Sequence, residues 1–256
     1  MDDSKQGIMS GNEAIARGAL EAGVGFCASY PGTPSTEITA KLFEVARERD
    51  IHVEWSTNEK VALESVAAAS WVGIPSLCPM KSLGLNVASD FLLNLSLSGT
   101  GKGGLVIVVC DDPKGHSSSN EQDSRFYARA AHIPLLEPST YQEAKDVTKY
   151  AFEVSQRFEV PVFLRSTTRL SHSRGLVRTG KTPRKKITAQ KMADRLYNVP
   201  SPHLRHKELI DKMNRYSDEI KDSPFNTVSR TKSMDLMVIS TGISSLYAKE
   251  AIQQLG

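Results

Sequence analysis

"VGFCASYPGTPSTEITAKLFEVARER", residues 24–49, decides how the rest of the chain is read. Six mostly apolar residues end in a turn carrying two prolines and a glycine. A segment with apolar residues at helical spacing follows. Short apolar run, turn punctuation and 3.6-residue period spell strand, turn and helix. Ser35 or Thr36 is expected to cap the helix through its hydroxyl. In the turn, Pro31 and Pro34 each fix a backbone angle, and Gly32 is expected in a conformation other residues avoid. Such a turn serves either as a rigid connection or as the wall of a ligand pocket. The first is the commoner use, but Thr33, held between prolines, looks like a hydroxyl placed for a purpose.

The same alternation extends in both directions. Upstream, "NEAIARGALEAG" reads as a helix with Asn12 as its cap and Gly23 as its stop. Downstream come a strand "IHVEW", a helix "NEKVALESVAAASWVG", a strand "PSLCPM", a helix "NVASDFLLNLSLSG" and a strand "GLVIVVC". A Ser-rich loop, "DDPKGHSSSNEQDS", precedes a helix "RFYARAA". A strand near "IPLLE", a helix "TYQEAKDVTKYAFEVSQRF" and a strand "VPVFLRS" close the series. Continuous apolar strands alternating with helices predict an α/β fold, a mostly parallel sheet covered by helices on both faces. Ligands of such sheets sit beyond the carboxyl ends of the strands. The proline turn, Glu59, "MKSLG" and the Ser-rich loop all follow strands and are therefore expected on one rim.

Three stretches are expected: residues 1–177 as the α/β domain, 178–232 as a basic linker with one helix, and 233–256 as the first βα unit of a second α/β domain. Residues 178–233 carry 14 Lys and Arg against 6 Asp and Glu, although the chain of 256 residues has a net charge of only +3. The basic residues are interleaved with acids and prolines and lack aromatic platforms, so a solvated connector is expected and no nucleic-acid partner. The sequence shows no run long enough to cross a membrane and no signal-peptide pattern, so a cytoplasmic location is expected. Cys27, Cys78 and Cys110 are isolated, lie in apolar strands and form no metal-binding pair. They read as small buried hydrophobes.

Three groups are candidates for chemistry. Glu59 stands in the first turn of a helix, where a carboxylate is favoured by the dipole and also serves simply as a cap. Its helix is crowded with Ala and Ser, which predicts burial; burial raises a carboxyl pKa and the helix terminus lowers it. Arg125, after a hydroxyl-rich loop, has the shape to clamp a carboxylate, or to pair with Asp123 or Glu121 on the surface. His116 has no second histidine nearby and reads as a loop hydrogen-bonding group. Metal-ligand spacing, a P-loop, GxGxxG and a nucleophile elbow are all missing.

Taken together, "GNEAIARGALEAG", "YPGTPSTEI", "EWSTNEKVALESVAAAS", "MKSLGLNVASD", "GGLVIVVCDDP", "HSSSNEQDSR" and "VPVFLRSTTRLSHSRG" resemble the α subunit of the indolepyruvate ferredoxin oxidoreductases. These belong to the thiamine diphosphate-dependent 2-oxoacid:ferredoxin oxidoreductases. The likeness runs from about Gly11 onward and includes "SPFN" and "STGISS". It implies that residues 1–177 hold the aminopyrimidine ring of thiamine diphosphate, with Pro31 and Ser82 lining it and Glu59 bonded to its N1′ nitrogen. That bond promotes the imino form and so ionisation of the thiazolium carbon, which attacks the 2-oxoacid. Carbon dioxide leaves, electrons pass through iron–sulfur clusters to ferredoxin, and coenzyme A takes the acyl group. Thr33 is implied beside the substrate and Arg125 at its carboxylate.

Two departures qualify the likeness. Ser82 stands where the indolepyruvate enzymes more usually carry histidine, which leaves the choice of 2-oxoacid open. The sequence has neither a GDG segment for Mg²⁺ and diphosphate nor clustered cysteines for iron–sulfur centres. The diphosphate-binding half, the clusters and a β subunit are therefore expected on parts outside these residues, in an oligomer. A split non-oxidative 2-oxoacid decarboxylase and a non-catalytic assembly scaffold are the rival expectations.

Overall fold

The computed structural model describes residues 6–183, 188–190, 197, 199–230 and 236–255. Its centre is a six-stranded parallel sheet built from β2 (Phe26–Ser29), β3 (His52–Trp55), β4 (Ser76–Lys81), β5 (Leu105–Asp111), β6 (Leu135–Leu136) and β7 (Val162–Thr167). The spatial order is β3-β2-β4-β5-β7-β6. The chain leaves β2 towards one edge and returns to pair β4 on its other side, so the order reverses at β2 and β4. Crevices in open α/β sheets form at such a point.

All seven residues of β5 are buried, and they alternate between two cores. Val106, Val108 and Cys110 join one cluster; Leu105, Ile107 and Val109 join the other. A strand with two buried faces needs helices on both. On the first face lie α1 (Gly11–Ala22), α2 (Thr36–Arg49) and α6 (Tyr141–Phe158). On the second lie α3 (Glu59–Trp71), α4 (Ser82–Ser98) and α5 (Arg125–Ala130). α1 and α6 approach so closely that a Cβ on Gly18 would sit 2.3 Å from the Lys145 carbonyl oxygen. The three cysteines are buried as expected, and burial pushes the Cys27 and Cys110 thiols up to about 12.

Several boundaries differ from those expected. Asn12 does not cap α1: Ser10 does, in a reciprocal capping box with Glu13. Asn12 is instead fully buried inside the helix, and its Nδ2 donates to the Pro34 carbonyl at 2.7 Å and to Glu37 at 2.8 Å. α4 starts at Ser82, four residues before the expected Asn86, because Gly84 sits in its first turn rather than breaking it. A two-stranded antiparallel ribbon, β1 (Gln6–Ser10) with β8 (Arg174–Arg178), and the short helix α7 (Thr168–His172) had no sequence signal. Each ribbon strand is five residues with a glycine, and only its partner makes it a strand.

Downstream, α8 (Pro202–Ile220) buries only Leu209 and Tyr216. Residues 231–235 lie outside the described set, and residues 236–240 form no strand, contrary to expectation. Leu236 and Ile239 are 82% and 84% exposed. A single strand has no ladder to join, so its backbone groups remain with water. The following helix, α9 (Ser244–Leu255), buries no residue.

Candidate active site

At the carboxyl ends of the strands the proline turn is closed by its own hydroxyls. Ser35 Oγ donates to the Gly32 carbonyl at 2.7 Å, and Thr36 Oγ1 accepts from the Gly32 amide at 2.9 Å. Neither hydroxyl caps α2, as one was expected to; both are spent on the turn. Gly32 is not left-handed either. Its lack of a side chain leaves space for Lys81, whose Cδ and Cγ would lie 3.1 and 3.2 Å from a Cβ at that position. The Thr33–Pro34 bond is cis. Pro31 and Thr33 are exposed on the rim, and the Thr33 hydroxyl has no hydrogen-bond partner among the described residues.

Glu59 is the first residue of α3, with Asn58 capping the helix by accepting from the Val61 amide at 3.0 Å. The cap is thus Asn58, which leaves the carboxyl of Glu59 for other use. Glu59 is only 8% exposed. A Cβ on Gly84 of α4 would lie 2.2 Å from Glu59 Oε1, so the first turn of α4 is cut away to admit the carboxyl. Burial pushes its pKa above the usual value, against the pull of its own backbone amide and of the Lys81 charge. The result is a buried carboxyl with no side-chain partner among the described residues, a group able to hold or give up a proton.

The Ser-rich loop closes over the next part of the rim. Ser117 Oγ donates to the Thr33 carbonyl at 3.1 Å, and Lys81 Nζ donates to the Ser117 carbonyl at 3.3 Å. Asp112 anchors the loop by accepting from the Ser117 amide at 2.7 Å and from Thr168 Oγ1 at 2.6 Å. Burial opposes ionisation of Asp112, but these donors hold its carboxyl well below the usual range. Ser82 is buried at the start of α4, where its carbonyl accepts from Gln122 Nε2 at 3.0 Å. Gln122 also exchanges amide hydrogen bonds with Asn86, at 2.9 and 3.0 Å.

Arg125 stands apart from this group. Its guanidinium grips Asp123 through Nε at 2.8 Å and Nη2 at 2.7 Å, and its Nη1 lies 3.8 Å from Glu137, just beyond β6. This is the surface pairing, not an open carboxylate clamp. Beside it, half-buried Arg165 binds Asp111 at 2.6 Å and also Glu137, so the β7–β6 end of the rim is already neutralised. The expected rim therefore assembles Thr33, Pro31, Glu59 and Ser82, while Arg125 is occupied elsewhere. Sequence reasoning missed Lys81, Gly84 and Gln122. The glycine two residues after Ser82 was the available signal, once α4 is started early enough to place it on a helix. Two cavities of about 420 and 460 Å³ are lined by residues remote from this rim, such as Arg205 and Lys212 in one and Gly23 and Gln190 in the other.

The geometry describes an α/β domain with a buried carboxyl, without a side-chain partner among the described residues, on the rim where the strand order reverses, and comparison with known proteins gives the family. Residues 17–238 match the family described as "Pyruvate flavodoxin/ferredoxin oxidoreductase, thiamine diP-bdg", and the chain belongs to that family. It is 45% identical over 257 residues to indolepyruvate oxidoreductase subunit IorA of Pyrococcus abyssi, covering 97% of this chain and 40% of that protein. It is 31% identical to 2-oxoglutarate synthase subunit KorA of Methanothermobacter thermautotrophicus, over 65% of this chain and 46% of that one. The chain thus spans about two fifths of the length of the IorA relatives it matches. Among solved structures, 2-oxoglutarate:ferredoxin oxidoreductase from Magnetococcus marinus shares the fold, with TM-score 0.75 at 19% identity, covering 99% of this chain and 51% of that chain.

Proposed function

We propose that this chain is the pyrimidine-holding part of a thiamine diphosphate-dependent 2-oxoacid:ferredoxin oxidoreductase, acting on arylpyruvates with indolepyruvate foremost. The observation that carries the reading is Glu59: a carboxyl with raised pKa, no side-chain partner among the described residues, and a space made for it by Gly84. These residues fit the cofactor, because a ring nitrogen is the kind of group that such a carboxyl would complete. When bound, thiamine diphosphate supplies the nucleophilic carbon and the electron sink for decarboxylation. Glu59 holds or gives the proton at the aminopyrimidine nitrogen, Pro31 and Ser82 shape the wall around the ring, and Thr33 offers a free hydroxyl to the substrate.

The rim is incomplete without further protein. Tyr30, Trp55, Val61 and Val87 lie at or shortly after strand ends, Phe126 lies in α5 after the Ser-rich loop, and all are 39–67% exposed. An apolar rim of this kind suits a second domain that brings Mg²⁺ and the diphosphate site and excludes water. Iron–sulfur clusters, ferredoxin and coenzyme A then belong to that part and to a partner subunit. The test is melting temperature with thiamine diphosphate, for this chain alone and with the diphosphate-binding part added, followed by viologen reduction with indolepyruvate and coenzyme A. Linked stabilisation of the pair and dye reduction are expected. Carbon dioxide release without dye reduction would replace this reading with a non-oxidative decarboxylase, and no stabilisation in either case would leave a scaffold.

A further inference from the structure

A 2-oxoacid brings a negative charge to this rim, and several described cations stand on or near it; Lys60, beside Glu59, is paired with Asp90 at 2.9 Å. Arg125 is held by Asp123, and Arg165 is paired with both Asp111 and Glu137. The Arg169 guanidinium lies over the Tyr247 ring, 5.7 Å from its centroid, and Lys114 occupies an exposed left-handed turn. Lys81 differs from all of these. Its methylenes lie against Gly32 of the proline turn, and its ammonium reaches the Ser-rich loop. That ammonium makes one hydrogen bond, to a neutral carbonyl, and has no carboxylate partner among the described residues. Its charge is felt at Glu59. The loop it touches is also bonded to the Thr33 carbonyl, so Thr33 and the ammonium are held by the same loop.

Building on the proposed function, we propose that Lys81, and not Arg125, receives the carboxylate of the 2-oxoacid. A lysine is a point charge on a flexible stem, whereas an arginine holds a carboxylate in a planar two-point grip. The choice has a chemical consequence. The negative charge leaves the carboxylate as carbon dioxide forms, so a strong grip stabilises the bound acid more than the transition state and slows its loss. One ammonium gives binding with less of that penalty. Gly32 is the complementary feature: a side chain there would crowd the lysine stem.

The experiment uses the complete oxidoreductase reconstituted with this chain, at the pH where turnover is at its plateau. In Lys81→Met the KM for the 2-oxoacid is expected to rise about 10- to 100-fold, the size of one lost charge-assisted hydrogen bond, with kcat not reduced. Competitive inhibition by the corresponding arylpropionate is expected to weaken by a similar factor, while inhibition by its uncharged amide stays the same. Lys81→Arg is expected to restore binding and lower kcat. Thiamine diphosphate affinity and melting temperature serve as the fold control in both variants. An unchanged KM in Lys81→Met, or a KM rise found in Arg125→Met instead, overturns the assignment while the proposed function stands. A wild-type enzyme that shows no thiamine diphosphate-dependent consumption of 2-oxoacid overturns both.

Discussion

Two buried glutamates sit at opposite ends of the sheet and do opposite things. Glu21, in the last turn of α1, is met by Arg17 at 3.0 Å, Lys145 at 3.1 Å and the Gly180 amide at 2.6 Å. It ties α1, α6 and the chain leaving β8 into one cluster. Glu59, on the rim, is buried to nearly the same degree and has only its own amide and the charge of Lys81. Burial is therefore not what distinguishes the two carboxyls. A fully partnered carboxylate is a structural joint, and one whose acceptors are left open holds capacity for a ligand.

This contrast can be broken by substitution. The largest effect is expected from Glu59→Gln in the reconstituted enzyme, a loss of turnover of about 10³-fold or more with the fold intact. Because its folded pKa is raised, Glu59 binds its proton more tightly in the folded chain. Stability of the isolated chain should then decline as pH rises from the ordinary glutamate value through the raised one. In Glu59→Gln that part of the slope should vanish and the chain should melt higher on the neutral side, which a pH series of denaturant curves reads directly. Glu21→Ala should do the reverse: about 3 kcal/mol of stability lost, because Arg17 and Lys145 each lose a buried carboxylate partner, with the rim geometry unaltered. An equal loss from both substitutions would erase the distinction.

Smaller changes sharpen it. Gly84→Ala puts a methyl where the Glu59 carboxyl stands, so it should cost about 1–3 kcal/mol and lower turnover together. A structural role alone would move only the first. Deleting residues 236–255 should change the stability of the isolated chain by no more than about 0.5 kcal/mol. That segment holds the body of the domain through the Thr241–Glu137 hydrogen bond at 3.0 Å and the stacking of Arg169 on Tyr247, both on the surface.

The parallel sheet was legible because strands buried on both faces leave apolar runs such as 105–110, and helices leave a 3.6-residue period. Glu59 was legible as a candidate because its helix is so rich in small residues. The β1–β8 ribbon was not legible, since each strand exists only through a partner some 170 positions away. The place of Arg125 was not legible for a related reason: spacing left a ligand clamp and an Asp123 pair equally open, and only coordinates show which acceptor the guanidinium takes. Lys81 was overlooked because nothing local distinguishes an uncommitted lysine from a solvated one.

By itself, then, the sequence determined the order of the parallel sheet's strands and their covering helices and which loops share a rim, because periodicity and turn chemistry act over a few residues. Tertiary structure alone decided which charges are spent and which stay open. Satisfaction of a buried polar group depends on what distant segments bring to it, and no local pattern records that.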